Sequence, residues 1–187
     1  MMHKQKSLAR KSNKFGIDDT KVDWVILNDI ESSKFSGYDY VKVETTVARY
    51  RKFDDKNYEL VLENTPFYAE SGGQIGDSGK IYNKEFKFSV NETYYEDNYI
   101  CHRGELKNGR ISKNFNNKVL AEIDISKREC IRANHTSTHL LHQALKNVLG
   151  TEVQQAGSLV AEDYLRFDFT YYQKVTVDEI NQIEDIV

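Results

Sequence analysis

The sequence predicts an α+β protein: a small β-barrel followed by a truncated α/β domain that carries a long histidine-bearing helix. Three observations predict it. Short alternating or apolar runs recur at roughly ten-residue spacing between Trp24 and Ile123, with turn residues between them. Near Ser126 the period-two texture gives way to an apolar stripe at helical spacing. From Leu159 onward two further strands lead into the start of a second helix. The predicted organisation is a linker or helical tail over 1–23, a barrel over 24–124, and the first part of the second domain over 125–187.

Each element follows from local chemistry. Residues 1–14 carry five Lys/Arg and little apolar content, which suits a tail or linker. Val22–Leu27 is a short apolar run, and Val41–Val47 alternates as a half-buried strand does. Tyr58–Leu62, Ile81–Tyr82, Phe86–Val90, Tyr99–Cys101 and Val119–Ile123 continue the series. Turns are expected at Asn83-Lys84, Glu96-Asp97-Asn98 and Lys107-Asn108-Gly109. Ser126 with Glu129 fits a capping box, so a helix is predicted over about 127–149. Ile131, Leu141, Leu145, Val148 and Leu149 form its apolar stripe, and Gly150 terminates it. Leu165, Phe167 and Phe169 define the buried face of a strand. Thr176 and Glu179 make a second capping box before Ile180, Ile183 and Val187. That last stripe has no C-terminal cap, so the segment is expected to continue beyond Val187.

Composition narrows the function classes. The chain has 187 residues, 39% of them hydrophobic and 29% charged, enough to bury a real core. No stretch approaches the ~20 apolar residues that span a bilayer, and the basic start has no apolar signal core. A cytoplasmic protein with no membrane partner is expected. Cys101 and Cys130 are too few for a disulfide scaffold and read as reduced, buried thiols. A net charge of −3 disfavours non-specific nucleic-acid coating, DNA included. Basic residues nevertheless gather between Arg103 and Arg132, a pattern shared by phosphate-binding faces and by ordinary solvated charges.

Two segments carry candidate chemistry. In His135-Thr136-Ser137-Thr138-His139 the imidazoles sit four apart, one turn apart on one helix face. That spacing lets both nitrogens reach one divalent ion, and imidazole suits Zn²⁺. Asn134 and Thr136 are candidate partners for orienting the rings. The pattern lacks the glutamate of a protease motif, and two packed histidines on a half-buried face would share the spacing. His142 is a rival ligand or an edge-of-core residue. The second segment, Phe67 to Gly79, has four glycines in eight residues, Gly72 to Gly79. It reads as a bulged barrel loop, or as one that opens backbone N–H groups and Gln74 to a polynucleotide end.

Together these segments resemble a known family. Phe67-Tyr68-Ala69-Glu70-Ser71-Gly72-Gly73-Gln74-Ile75-Gly76-Asp77 is similar to the barrel signature of bacterial-type alanyl-tRNA synthetases. Arg132 to Leu141 and Val153 to Leu159 resemble the editing domain of the same enzymes, in matching order. The resemblance runs from about Phe15 to Val187. Gly72-Gly73-Gln74 is also shared with peptide release factors, whose surroundings differ. Free-standing trans-editing deacylases share the histidine motif but lack the leading segment.

The resemblance implies an internal fragment of an alanine-tRNA ligase. His135 and His139 would be two zinc ligands, the other two lying beyond Val187. Gln155 and Thr136 would line the catalytic pocket for hydrolysis of mischarged Ser-tRNA(Ala) or Gly-tRNA(Ala). Gly72, Gly73, Gln74, Arg128 and Arg132 would meet the tRNA(Ala) acceptor end. ATP and Mg²⁺ would belong to a catalytic domain outside this chain, leaving the fragment itself inactive. A non-catalytic tRNA-binding module is the competing expectation.

Overall fold

The computed structural model describes residues 22–187. Of the tail expected over 1–23, residues 1–21 lie outside the described part. The described chain begins with two short strands, β1 (Val25–Ile26) and β2 (Lys34–Phe35). Next come β3 (Lys42–Lys52), β4 (Asn57–Leu62), β5 (Asn64–Thr65), β6 (Gly79–Tyr82), β7 (Lys87–Glu96), β8 (Tyr99–Asn108) and β9 (Lys118–Ile123). The second part holds helix α1 (Ile125–Leu149), the β10 (Gln154–Val160) and β11 (Leu165–Thr170) hairpin, and α2 (Val177–Ile186).

Six strands close into an antiparallel barrel in the order β3-β4-β8-β7-β6-β9 and back to β3. Closure rests on β3, whose 11 residues serve two neighbours. Lys42 to Thr46 pair with β9, whereas Val47 to Lys52 pair with β4. The register shifts between Val47 and Arg49, and the bulge bends the strand from one partner to the next. Closure removes the open edges that a flat sheet of this size would present. The β7–β8 hairpin turns at Asp97, which adopts φ 53°, where the Glu96-Asp97-Asn98 turn is expected.

Alternation places Val119, Ala121 and Ile123 of β9 and Phe88 and Val90 of β7 in the barrel core. Strand β4 departs from alternation, for Tyr58 to Leu62 are all buried. Tyr58, Leu60 and Leu62 face the core. On the opposite face the fully buried Glu59 carboxylate is held by Arg51, Arg103 and Tyr94. Trp24 lies against this network, 4.4 Å from the Arg51 guanidinium. Arg103 is thus engaged internally, while Lys107, Lys127 and Arg132 pair with Glu105, Glu162 and Glu129. The predicted basic run is locally neutralised at these positions.

Helix α1 starts two residues earlier than predicted. Asp124, in extended backbone, is the N-cap and accepts from the Lys127 N–H. Its own N–H donates to the Ser78 carbonyl of the barrel, at 2.8 Å. The Ser126–Glu129 box does not form, because a carboxylate already caps the helix and Glu129 turns to Arg132. By contrast, the Thr176–Glu179 box forms in full at the start of α2. Gly150 ends α1 at φ 101°.

A second core lies between α1, α2 and the hairpin. It is built on Ala144, Leu145, Leu149, Val153 and Ile183, with Phe167 and Phe169 packed against it. Ile131, in the predicted stripe, is also buried. Cys101 is buried, and burial pushes its thiol pKa up. Cys130 corrects its expectation: it is exposed. No described helix is long and apolar enough to cross a membrane.

Candidate functional site

Gly72, Gly73, Gln74, Arg128, His135 and Gln155 meet at the seam between barrel and second domain, whereas Thr136 and Arg132 do not. The Gly-rich loop folds back on itself, with reciprocal backbone bonds between Ser71 and Gln74 at 3.1 and 3.0 Å. It then pairs with β10: Val160 N–H donates to the Gly73 carbonyl at 2.8 Å, and Ile75 N–H to the Val160 carbonyl at 3.1 Å. Side chains extend the contact. Gln155 Nε2 donates to Ser158 Oγ at 3.1 Å, and Ser158 Oγ to the Gly72 carbonyl at 3.5 Å.

Glycine at position 73 is demanded by this contact. Its φ is +89°, and a Cβ there would stand 2.5 Å from both the carbonyl oxygen and Oγ of Ser158. Gly72 has φ +61° but nothing within 4 Å of a Cβ. Gly73→Ala is therefore expected to open the seam, and Gly72→Ala to cost only its backbone strain of about 1 kcal/mol. Hydrogen exchange at the Val160 amide checks this, with faster exchange expected for Gly73→Ala alone.

Helix α1 supplies the histidines. The rings of His135 and His139 lie 5.1 Å apart, centroid to centroid, at 36°. Both residues are exposed. His135 Nδ1 lies 2.7 Å from Oε1 of Gln74, 61 residues earlier in the chain. A carbonyl oxygen only accepts, so Nδ1 carries a proton, and in the neutral ring Nε2 then keeps its lone pair. Gln74 itself is 8% exposed, so its side chain faces the histidine rather than solvent. That differs from the expected open display of Gln74 toward tRNA. The physical reason is the loop's pairing with β10, which turns the side chain into the seam.

The expected ring partners act elsewhere. Asn134 Nδ2 donates to the carbonyls of Ala161 and Glu162, at 2.8 and 3.2 Å, and so docks α1 onto the hairpin. The Thr136 hydroxyl donates to the Arg132 carbonyl one turn back, leaving its lone pairs on an exposed face. His142 packs its ring 5.0 Å from that of Phe167, and its Nε2 is buried without a hydrogen-bond partner. Burial first, then Lys146 and His139, lowers its pKa. It is an edge-of-core residue.

Arg128 is the clearest correction. Expected on the tRNA surface, it is instead a clamp inside the seam. Its Nε donates to Asp77 at 2.9 Å and its Nη2 to the same carboxylate. Nη1 and Nη2 reach the Gly37 and Pro66 carbonyls, each at 2.9 Å. Asp77 is 2% exposed and also accepts the Tyr68 N–H at 2.7 Å. A guanidinium so enclosed has little left to offer a phosphate. Arg132, with 68% of its side chain exposed, remains on the surface.

His135 and His139 are the residues available to a metal. Among the described residues no group of three or more His, Cys, Asp and Glu side chains gathers in metal-binding fashion. Two imidazoles, one with its second nitrogen already engaged, fit half of a tetrahedral zinc site. A cavity of about 210 Å³ on the same seam, lined by Ile75, Asn91, Ile131 and Asp163 among others, includes none of the candidate residues.

Residues 1–127 match the family model for class II (A) tRNA synthetases. This chain belongs to the class II tRNA synthetases. Within that family its relatives are alanine–tRNA ligases. It is 41% identical to that of Porphyromonas gingivalis over 190 residues, which covers 100% of the chain and 21% of the relative. It is 44% identical to that of Bacteroides fragilis over 168 residues, 88% of the chain and 19% of the relative. For Fusobacterium nucleatum the identity is 38% over 188 residues, 100% and 22%. The synthetase chain thus spans about a fifth of the length of the curated relatives it matches. The family kinship read from the Gly-rich loop and the histidine helix is shown. Sequence reasoning missed Asp77 as the anchor of Arg128 and Ser158 as the link between Gln155 and the loop. Both stand inside the quoted motifs, but only contacts reveal their partners.

Proposed function

We propose that this chain is the part of an alanine-tRNA ligase that receives the charged acceptor end of tRNA(Ala) and hydrolyses mischarged Ser-tRNA(Ala) and Gly-tRNA(Ala), in the cytoplasm. The observation that carries the reading is the junction itself. In the exposed His135–His139 pair, His135 is hydrogen-bonded to Gln74 of the Gly-rich loop, and that loop is stitched to the strand bearing Gln155. Kinship with full-length alanine–tRNA ligases supports the substrate class.

An alanine-selecting pocket cannot reject the smaller glycine strongly, nor serine, which only adds a hydroxyl. A second, hydrolytic site answers that need. His135 and His139 would hold zinc, which supplies Lewis acidity and a readily deprotonated water when bound. Gln155 and Thr136, both exposed, would contact the ester and the terminal ribose by hydrogen bonding. Exposed Gly72 and Arg132 would meet the tRNA backbone.

The test compares this chain with one extended by ~100 residues of its natural sequence, a typical domain length. Bound zinc and Ser-tRNA(Ala) hydrolysis are measured for both, with His135→Ala as control. The extended chain is expected to bind zinc and deacylate, and His135→Ala to abolish both. Equal, metal-independent behaviour of all three proteins would overturn the zinc reading, and loss of hydrolysis in all three would favour a tRNA-docking module without catalysis.

A further inference from the structure

We propose that Gln74, a residue of the barrel, is a positioning residue for His135 of the second domain, holding its imidazole as the Nδ1–H tautomer with Nε2 free. The assignment of a use to that free nitrogen rests on His135 being a metal ligand, as proposed above. The tautomer itself does not.

Gln74 is held from several sides. Its backbone bonds Ser71 in both directions, and it forms a parallel bridge with Val160. Its neighbours Gly73 and Ile75 each pair with Val160. Its side chain is buried in the seam. Oε1 is therefore set by two elements, the loop and β10, before it meets the histidine. His135 stands on α1, which is fastened to the same seam by Asn134 on one turn and by the Arg128–Asp77 clamp on another. Two separately anchored groups meet at 2.7 Å.

An imidazole in water exchanges between its two neutral forms, and only one of them leaves Nε2 as an acceptor or ligand. A fixed carbonyl oxygen at Nδ1 selects that form and restricts rotation of the ring. No neighbour on α1 does this, for Asn134 and Thr136 hydrogen-bond to backbone carbonyls. The partner comes from the Gly-rich loop. The loop thus has a role in the histidine site beyond any contact with tRNA.

The test uses this chain with ¹⁵N-labelled histidine and long-range ¹H–¹⁵N spectra, at a pH where imidazole is neutral and without metal. Wild type is expected to show His135 with a protonated Nδ1 and a bare Nε2. Gln74→Leu, which keeps bulk and removes the acceptor, is expected to release His135 to a tautomer mixture. Gln74→Glu restores an acceptor and is expected to restore the single form. Backbone amide spectra verify that each variant keeps the fold. Zn²⁺ affinity, read by competition with a chromophoric chelator, is expected to fall about 10–100-fold in Gln74→Leu and to recover in Gln74→Glu.

A wild-type His135 protonated on Nε2, or a tautomer unmoved by Gln74→Leu, overturns the proposal. The wild-type spectrum decides even where a variant fails to fold. If the tautomer responds as stated but no variant binds Zn²⁺, the positioning role stands and the metal reading of His135 is what fails.

Discussion

Replacing Arg128 with alanine is expected to destabilise this chain by about 3–5 kcal/mol, because it leaves the Asp77 carboxylate buried without its counter-ion. The loss would be measured as a lower urea midpoint with an unchanged slope. Arg128→Lys keeps the charge but not the planar fork that spans Asp77 and two carbonyls, so only part of the loss should be recovered. Replacing both partners, Asp77→Asn with Arg128→Leu, should cost less than Arg128→Ala alone, since no buried charge is stranded. If Arg128 were instead a phosphate contact, Arg128→Ala would leave the urea midpoint alone and lower the salt dependence of tRNA binding by about one ion. The two outcomes are opposite, so one pair of measurements separates them.

Stability is expected to fall by about 3 kcal/mol as pH drops from 6.5 to 4, through His102 alone. The side chain is fully buried, with Nε2 2.8 Å from Thr65 Oγ1 and Nδ1 3.0 Å from the Leu60 carbonyl. Burial lowers its pKa from 6.5 to about 4, against the smaller opposing effect of the Leu60 carbonyl. Between those values the unfolded chain takes up a proton that the folded chain refuses. Acid in that window therefore favours unfolding, and the contribution is fully present above pH 6.5. His102→Gln keeps hydrogen-bonding capacity without titrating. Its urea stability should be lower at neutral pH but flatter across the window. Glu122 adds acid sensitivity at lower pH, since Lys80 foremost, with Tyr82 and Lys42, holds its pKa at about 2. Comparison with His102→Gln removes that shared background. A wild-type profile parallel to that of the variant would refute the His102 account.

Much of the architecture could be read from periodicity alone. Alternation in Val41–Val47 and Val119–Ile123 located two barrel strands, since a strand's side chains must take opposite faces. The Ile131-to-Leu149 stripe located α1, and the Thr176–Glu179 box located α2, because these signals lie within a few residues of one another. The His135–His139 pair was legible for the same reason: one helical turn brings the two rings together whatever surrounds them.

Where a feature depends on a partner far along the chain, sequence reasoning had no purchase. Local spacing favoured Ser126 as the cap of α1, but Asp124, anchored to Ser78 of the barrel, takes that place. Local charge allowed Arg128 a phosphate-binding face or a solvated one, but Asp77, 51 residues away, draws it inside. The Glu59 carboxylate, in a strand that otherwise reads as apolar, is tolerable only because Arg51, Arg103 and Tyr94 come from three other strands.

The sequence by itself determined the fold class, the histidine pair and the family. Those depend on short-range periodicity and on motifs whose residues are close in the chain. Tertiary structure alone decided what the motifs do to one another. Barrel closure and the pairing of the loop with β10 bring Gln74 to His135, Ser158 to Gly72 and Asp77 to Arg128. Such contacts follow from how the chain folds back on itself, and no spacing along it encodes them.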